Sequence, residues 1–250
     1  MKTINQLVKK KNQYLVTFGD DEPIIFDPEI VLKYRLKIGS SFDVKTYHQL
    51  IEDNNFNIFY QLAIKKLKKM MTIHEMKVYL ITQGASEAIT KQMIKKLKDK
   101  KYLDDEIYLK TYISLKAHQH GPKKLSYDLK QKGIPFEFIE NALNEINESE
   151  VIQSLMDKKI PSLKQKPYQQ KVRLLKSFLL QKGFSNEAID HELSTITYDQ
   201  QSDITSLIKD YEKLNQKIKS DDLYEKNQKI IQKLYQKGYR IEDIKKIIHH

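Results

Sequence analysis

Four of the seven glycines stand in one repeated setting, which restricts the folds open to this chain more than any other feature. Leu80, Leu129, Leu179 and Leu234 each lie four residues before Gly84, Gly133, Gly183 and Gly238, and ten residues after each glycine comes Ile94, Leu143, Leu193 or Ile248. The glycines are 49, 50 and 55 residues apart. A glycine that ends a helix explains one position at a time. A fixed spacing to apolar residues on both sides, at a near-constant period, points to tandem helical repeats.

The most complete copy runs from Tyr102 to Leu143. Asp104-Asp105 has the chemistry of a helix start, where carboxylates accept orphan N–H groups and favour the positive end of the dipole. Tyr108, Leu109, Tyr112 and Ile113 then recur at helical spacing as an apolar stripe, with Tyr102 left open as a stacking residue. Gly121-Pro122 stops that helix and opens a second, which ends at Gly133. Pro135 starts a third helix that carries Phe138, Ile139, Ala142 and Leu143. The spacing therefore predicts three helices per repeat.

These same residues, Tyr102-Leu103-Asp104-Asp105, Tyr108-Leu109, Tyr112-Ile113, Lys116, Gly121, Leu125, Leu129 and Lys132-Gly133-Ile134, resemble the RecX family. The resemblance extends over nearly the whole chain and is strongest in residues 72–146. Two departures stand out: Leu109 where the family has a small residue, and Lys116 where it has arginine. The first implies altered packing. The second removes a two-pronged guanidinium contact.

The organisation expected is a small N-terminal α+β appendage over 1–55, then four three-helix repeats over 56–101, 102–147, 148–197 and 198–250. In the appendage, Tyr14–Phe18 and Ile24–Phe26 read as a hairpin and Asp27-Pro28-Glu29 as a helix start. In the first repeat, Phe56 to Met70 form one helix, with Lys65 and Lys69 on one side. Thr72-Ile73-His74-Glu75 is a capping box, and Ser86 caps a helix with Ile89, Met93, Ile94 and Leu97 inward. Ser185 and the Ser220-Asp221-Asp222-Leu223 run open helices further on. The fold class is all-α, an elongated curved array of tandem three-helix repeats with a hairpin-plus-helix cap.

Charge is concentrated. Residues 56–101 hold eleven lysines against three acids, a net +8 out of +11 for the whole chain, and residues 1–55 are neutral. Lys91, Lys95 and Lys98 share a helix face that reads as opposite the core. Such a stripe is commonly just solvated. Here the like charges repel without local acids, so a polyanion that relieves them is the stronger reading. Only three arginines accompany the lysines, which favours phosphate contact over the reading of base edges. Candidate DNA- or RecA-binding residues are Lys65, Lys69, Lys91, Lys95, Lys98, Lys116, Lys123, Lys124, Lys130 and Lys132.

Other chemistry is absent from the sequence. No glycine precedes a lysine, so there is no phosphate-binding P-loop, and without cysteine there is no thiolate site or disulfide. His118 and His120 diverge on a helix and suit no shared metal. The terminal pair His249-His250 reads as native or as the stub of a tag. No nucleophile–base arrangement is present, so no enzyme and no cofactor is expected, and no apolar run suits a membrane span. The resemblance implies a modulator, mainly an inhibitor, of the RecA recombinase. It would lodge in the groove of the RecA–DNA filament and block extension or favour disassembly, as a cytoplasmic monomer that binds single- and double-stranded DNA without sequence preference. The competing readings are a helix-turn-helix transcription regulator and a repeat scaffold that binds only protein.

Overall fold

The computed structural model describes residues 1–164, 166–220 and 222–248. Asp221 and the pair His249-His250 lie outside the described residues, as does Gln165. In chain order come β1 (Lys2–Lys10), β2 (Gln13–Phe18), β3 (Ile24–Phe26), α1 (Pro28–Lys33), β4 (Ser41–Phe42) and α2 (Val44–Lys66). Then follow α3 (Ile73–Thr82), α4 (Glu87–Asp99), α5 (Asp105–Lys116), α6 (Pro122–Gln131), α7 (Phe136–Leu143) and α8 (Glu148–Lys159). The last are α9 (Tyr168–Lys182), α10 (Asn186–Ser194), α11 (Gln200–Lys217), α12 (Leu223–Lys237) and α13 (Ile241–Ile248). The chain divides into two compact units, residues 1–109 with 132–134, and residues 110–131 with 135 onward.

The first unit opens with an antiparallel sheet of order β3-β2-β1-β4. Leu7 faces Val16, Tyr14 faces Phe26, and Lys2 faces Phe42 across the ladders. The hairpin read from the sequence is therefore one side of a four-stranded sheet, with β3 at its edge and β1 and β4 added beyond β2. β1 escapes a pattern search because its register shifts between Ile4 and Gln6, which breaks the alternation of apolar and polar residues. Ile4, Val16, Phe18, Phe26, Ile30, Val31, Leu36 and Leu50 make its core.

Leu50 belongs to α2, which runs unbroken through the 55/56 boundary drawn from the sequence. Its first half closes the sheet's core, and Ala63 in its second half joins Met76, Leu80, Met93 and Leu97. Asn54, fully buried at the crossover, accepts from the Asp27 N–H (2.9 Å) and donates to the Ile25 carbonyl (2.7 Å). One helix thus serves two cores, and a polar-looking stretch at Asp53-Asn54-Asn55 conceals it.

The glycines do what their spacing requires. Gly84, Gly133, Gly183 and Gly238 have φ of +91°, +77°, +86° and +97°. The leucines four residues earlier are all fully buried, as are, very nearly, the residues that follow: Ala85, Ile134, Phe184 and Tyr239. Ala85, Phe184 and Tyr239 donate back to the carbonyls of Leu80, Leu179 and Leu234 at 3.0, 3.3 and 3.3 Å. This is the hydrogen-bonding pattern of a helix closed by a left-handed residue, with an apolar residue folded back under it.

A second demand on these glycines is invisible in the sequence. A Cβ on Gly133 would lie 2.4 Å from the Cβ of His74, and one on Gly183 2.4 Å from the backbone nitrogen of Lys124. On Gly238 it would lie 3.0 Å from the backbone nitrogen of Gln170. His74, Lys124 and Gln170 are the second or third residues of α3, α6 and α9. Each later glycine therefore abuts the first turn of the helix one repeat back. Gly84, with no repeat before it, has nothing within 4 Å.

Polar contacts follow the same step. The Thr72 hydroxyl donates to the Lys132 carbonyl (2.6 Å), and the Gly121 N–H donates to the Lys182 carbonyl (2.8 Å). Asp105 and Asp203 accept from the N–H groups of Ile73 and Tyr168, both at 2.9 Å, at the starts of α3 and α9. Where α6 begins with Pro122 there is no such donor, and Lys123 N–H donates to the Gly183 carbonyl instead (3.0 Å). The Asp104-Asp105 pair is thus split in function. Asp104 caps its own helix, accepting from Glu106 and Ile107, and Asp105 caps α3.

Three details differ from the sequence reading. Phe138 is half-exposed, because the eight-residue α7 buries only Ile139 and Leu143. Lys69 and Met70 lie past the end of α2, whose C-cap is Leu67, so Lys69 does not share a helix face with Lys65. Leu223 is 70% exposed, at the open first turn of α12.

Burial pushes the Asp203 carboxyl up from its ordinary value, against the hydrogen bond from Tyr168. The folded state then holds that proton more tightly than the unfolded chain, so this group's contribution to stability is present in acid and lost as pH rises through the folded pKa. Asp203→Asn keeps an acceptor for Tyr168 without the charge. It should match or exceed the parent in stability at neutral pH and converge with it in acid. Asp203→Ala leaves the N–H unpaired and should lose about 1 kcal/mol or more. Urea denaturation of both at two pH values checks this, and an Asn variant weaker than the parent at neutral pH would refute it.

Candidate nucleic-acid and partner interface

The structure sorts the candidate lysines by what surrounds them. On α4 the stripe is exposed as spacing required, and Thr90, Met93, Ile94 and Leu97 are buried on the inner side. Lys91, Lys95 and Lys98 do not, however, stand opposite the core. Together with Lys77 from α3 they line an open cleft of about 800 Å³. Ile81, Ala85 and Ile94 supply its apolar lining, and Glu87 and Asp99, the first and last residues of α4, also reach it. None of the four lysines forms an ion pair among the described residues.

Neighbouring lysines in the same repeat are otherwise engaged. Lys96 lies 4.2 Å from the ring centre of Tyr60 and 4.9 Å from that of Phe56, and Lys66 lies 4.9 Å from Tyr79. Lys100 donates to the Tyr60 hydroxyl (3.2 Å), which raises its pKa. These aromatic contacts hold three cations against the fold, whereas the four cleft lysines make no such contact among the described residues.

Lys132 is not free. It pairs with Glu75 at 2.8 Å, 5.6 Å from the ring centre of Tyr108, and the hydrogen bond to Glu75 raises its pKa strongly. Its work is to hold α3 against the chain just before Gly133. Lys124 likewise pairs with Asp128 at 2.6 Å, one helical turn on. Lys65, Lys69, Lys116, Lys123 and Lys130 are exposed. Lys65, Lys69, Lys91, Lys95, Lys98 and Lys132 lie in the first unit, and Lys116, Lys123, Lys124 and Lys130 in the second. The sequence reading missed Lys77. Its only signal is that it stands four residues before Ile81 on α3, the face that turns to the cleft.

No three acidic or histidine side chains among the described residues are grouped as a metal would need. His118 and His120 fall after α5, whose last helical residue is Lys116.

Residues 104–143 match the description "RecX, second three-helix domain", and residues 202–248 match "RecX, third three-helix domain". The chain is similar along nearly its full length to the regulatory protein RecX of Enterococcus faecalis (strain ATCC 700802 / V583). They are 25% identical over 257 residues, covering 99% of this chain and 97% of that one. It is 29% identical over 259 residues to the regulatory protein RecX of Streptococcus pyogenes serotype M1, covering 96% of each. The chain thus carries matches to two RecX domains and is similar to RecX proteins along nearly its full length.

Solved structures of the family share the fold. A crystal structure of a regulatory protein RecX superposes with a TM-score of 0.58 at 20% identity, covering 78% of this chain and all of that one. RecX from Lactobacillus salivarius gives 0.53 at 27% identity, over 58% of this chain and 99% of its own. The RecX second-domain match falls on α5–α7 and the third-domain match on α11–α13, with α8–α10 between them. Leu109, the larger residue noted at a small-residue position of the family, is accommodated in the interior.

Proposed function

We propose that this chain regulates the RecA recombinase by docking on the RecA–DNA filament, and that it acts by occupancy without catalysis. The observation that carries the reading is the set of lysines, Lys77, Lys91, Lys95 and Lys98, that have no ion-pair partner among the described residues and line the α3–α4 cleft of a chain similar to RecX proteins. Cations with no internal partner are available to phosphates or to acidic protein surface. Their being lysines, in a chain with three arginines, favours contact with any DNA sequence, single- or double-stranded. The repeats over 56–101, 102–147, 148–197 and 198–250 would each present a face to the filament, with the first as anchor. The protein would work as a monomer in the cytoplasm, blocking filament extension or promoting disassembly.

The test is RecA-driven ATP hydrolysis on single-stranded DNA. Hydrolysis should fall as the protein is titrated in, and more steeply at low salt. Unchanged hydrolysis at saturating protein would overturn inhibition. An operator-like preference for one duplex sequence would favour a transcription regulator.

A further inference from the structure

Beyond the α3–α4 cleft, the second unit carries an open cleft of about 610 Å³ between α6, α7 and the start of α8. Two aromatic rings line it, Tyr127 at 60% and Phe136 at 50% exposure. Lys130 lies 4.1 Å from the ring centre of Phe136, and Lys123 lines the same cleft. Neither lysine has an ion-pair partner among the described residues. Ser126 and Asn144 add hydrogen-bonding groups.

Large rings left half in water lose the burial that ordinarily keeps an aromatic residue in a fold. Both sit on short helices whose inward faces are already filled by Leu125, Leu129, Ile139 and Leu143, so the rings are not needed for the core. Charge alone does not explain the cleft either, because Glu140 and Glu148 line it too and formally balance Lys123 and Lys130. A phosphate backbone held only by cations would find little net attraction here. What remains is flat apolar surface beside a cation, with polar groups at its margin. That combination suits an unpaired base, whose face stacks on a ring while its phosphate reaches a lysine.

We propose that Tyr127 and Phe136 form a stacking platform for the bases of single-stranded nucleic acid, with Lys123 on its phosphates. The choice of nucleic acid as occupant rests on the DNA-directed reading above. Duplex DNA keeps its bases stacked inside and gains nothing from the rings, so the site discriminates for unpaired strands.

The experiment uses the full-length protein, labelled oligo(dT) and an abasic strand of the same length, which keeps the phosphates and lacks the bases. The parent should bind oligo(dT) more tightly. Tyr127→Leu and Phe136→Leu should each weaken oligo(dT) binding by about tenfold and leave the abasic strand unaffected. Tyr127→Phe, which retains the ring, should bind as the parent does. Equal binding of the two strands by the parent would overturn the platform while leaving the DNA-directed role intact. No binding of either strand would remove that role itself. Equal loss of both strands in the leucine variants would show that the rings support the fold, and loss of self-association in sedimentation would assign the face to a second copy. Either result overturns the proposal. The two leucine variants are read separately, so either keeps the proposal testable should the other fail to fold.

Discussion

Gly183→Ala should destabilise the protein by about 3 kcal/mol, and Gly84→Ala by about 1. Both glycines close a helix in the left-handed region, at φ +86° and +91°, so an alanine carries the same backbone strain at either. They differ in their surroundings. At Gly84 a methyl group meets nothing within 4 Å, whereas at Gly183 it falls 2.4 Å from the backbone nitrogen of Lys124. A backbone atom in the first turn of a packed helix has nowhere to go. Relief would separate the α9 end from α6 and pull on the hydrogen bonds from Gly121 to Lys182 and from Lys123 to Gly183. Subtracting the Gly84 loss therefore isolates the contact between repeats. Urea midpoints of the two variants measure it, and equal losses would mean that the glycine serves only its own helix. Gly133→Ala should cost about as much as Gly183→Ala, since the Cβ of His74 in its way at 2.4 Å is bonded to the α3 backbone and moves only with it.

Replacing Lys91, Lys95 and Lys98 together by glutamine should leave the fold intact and weaken DNA binding most at low salt. The three are exposed and free of ion pairs among the described residues, so the stability change should stay within about half a kcal/mol. Each phosphate contact contributes about 0.7 to 0.9 to the logarithmic salt slope, so losing all three should flatten it by roughly two to three units. Suppression of RecA should need correspondingly more protein. Lys209, Lys213 and Lys217, exposed on α11 in a nearly balanced repeat, provide the control. Equal loss in both triple variants would make overall charge the cause. No loss in either would move the contact to Lys116, Lys123 and Lys130, the exposed lysines of the second unit.

The repeats were readable because a left-handed helix end demands glycine and because a buried leucine lies at a fixed distance from it. Local chemistry of that kind leaves a mark at each position, as do the Thr72–Glu75 box and the serine caps at Ser86 and Ser185. What stayed hidden depends on partners far along the chain. Lys132 looks like any exposed lysine until Glu75, 57 residues earlier, is placed beside it. Asp105 looks like a cap for α5 until Ile73 arrives at its carboxylate. The α4 stripe was correctly exposed, but its cleft needs α3 at a particular angle, which no spacing within one helix encodes. Phe136, three and seven residues before the buried Ile139 and Leu143, fits the apolar stripe of α7, so spacing alone does not tell it from a core residue. Tyr127, two residues from both Leu125 and Leu129, falls on the outer face of α6.

The step from each glycine to the helix start one repeat earlier also governs how such a sequence can change in length. A contact that involves only the preceding copy is indifferent to how many copies come before or after. Whole repeats of roughly fifty residues can be gained or lost with every remaining joint chemically unaltered. A deletion of ten residues inside a repeat has no such freedom, because it removes one half of a joint and strands the other. Open joints are seen at Gly84, with empty space where a neighbour would press, and at Leu223 and Tyr224, which stand in water at the start of α12. Insertions should therefore be tolerated between repeats, after Asn144 or Ile196, and rejected within the Leu-to-Gly turns.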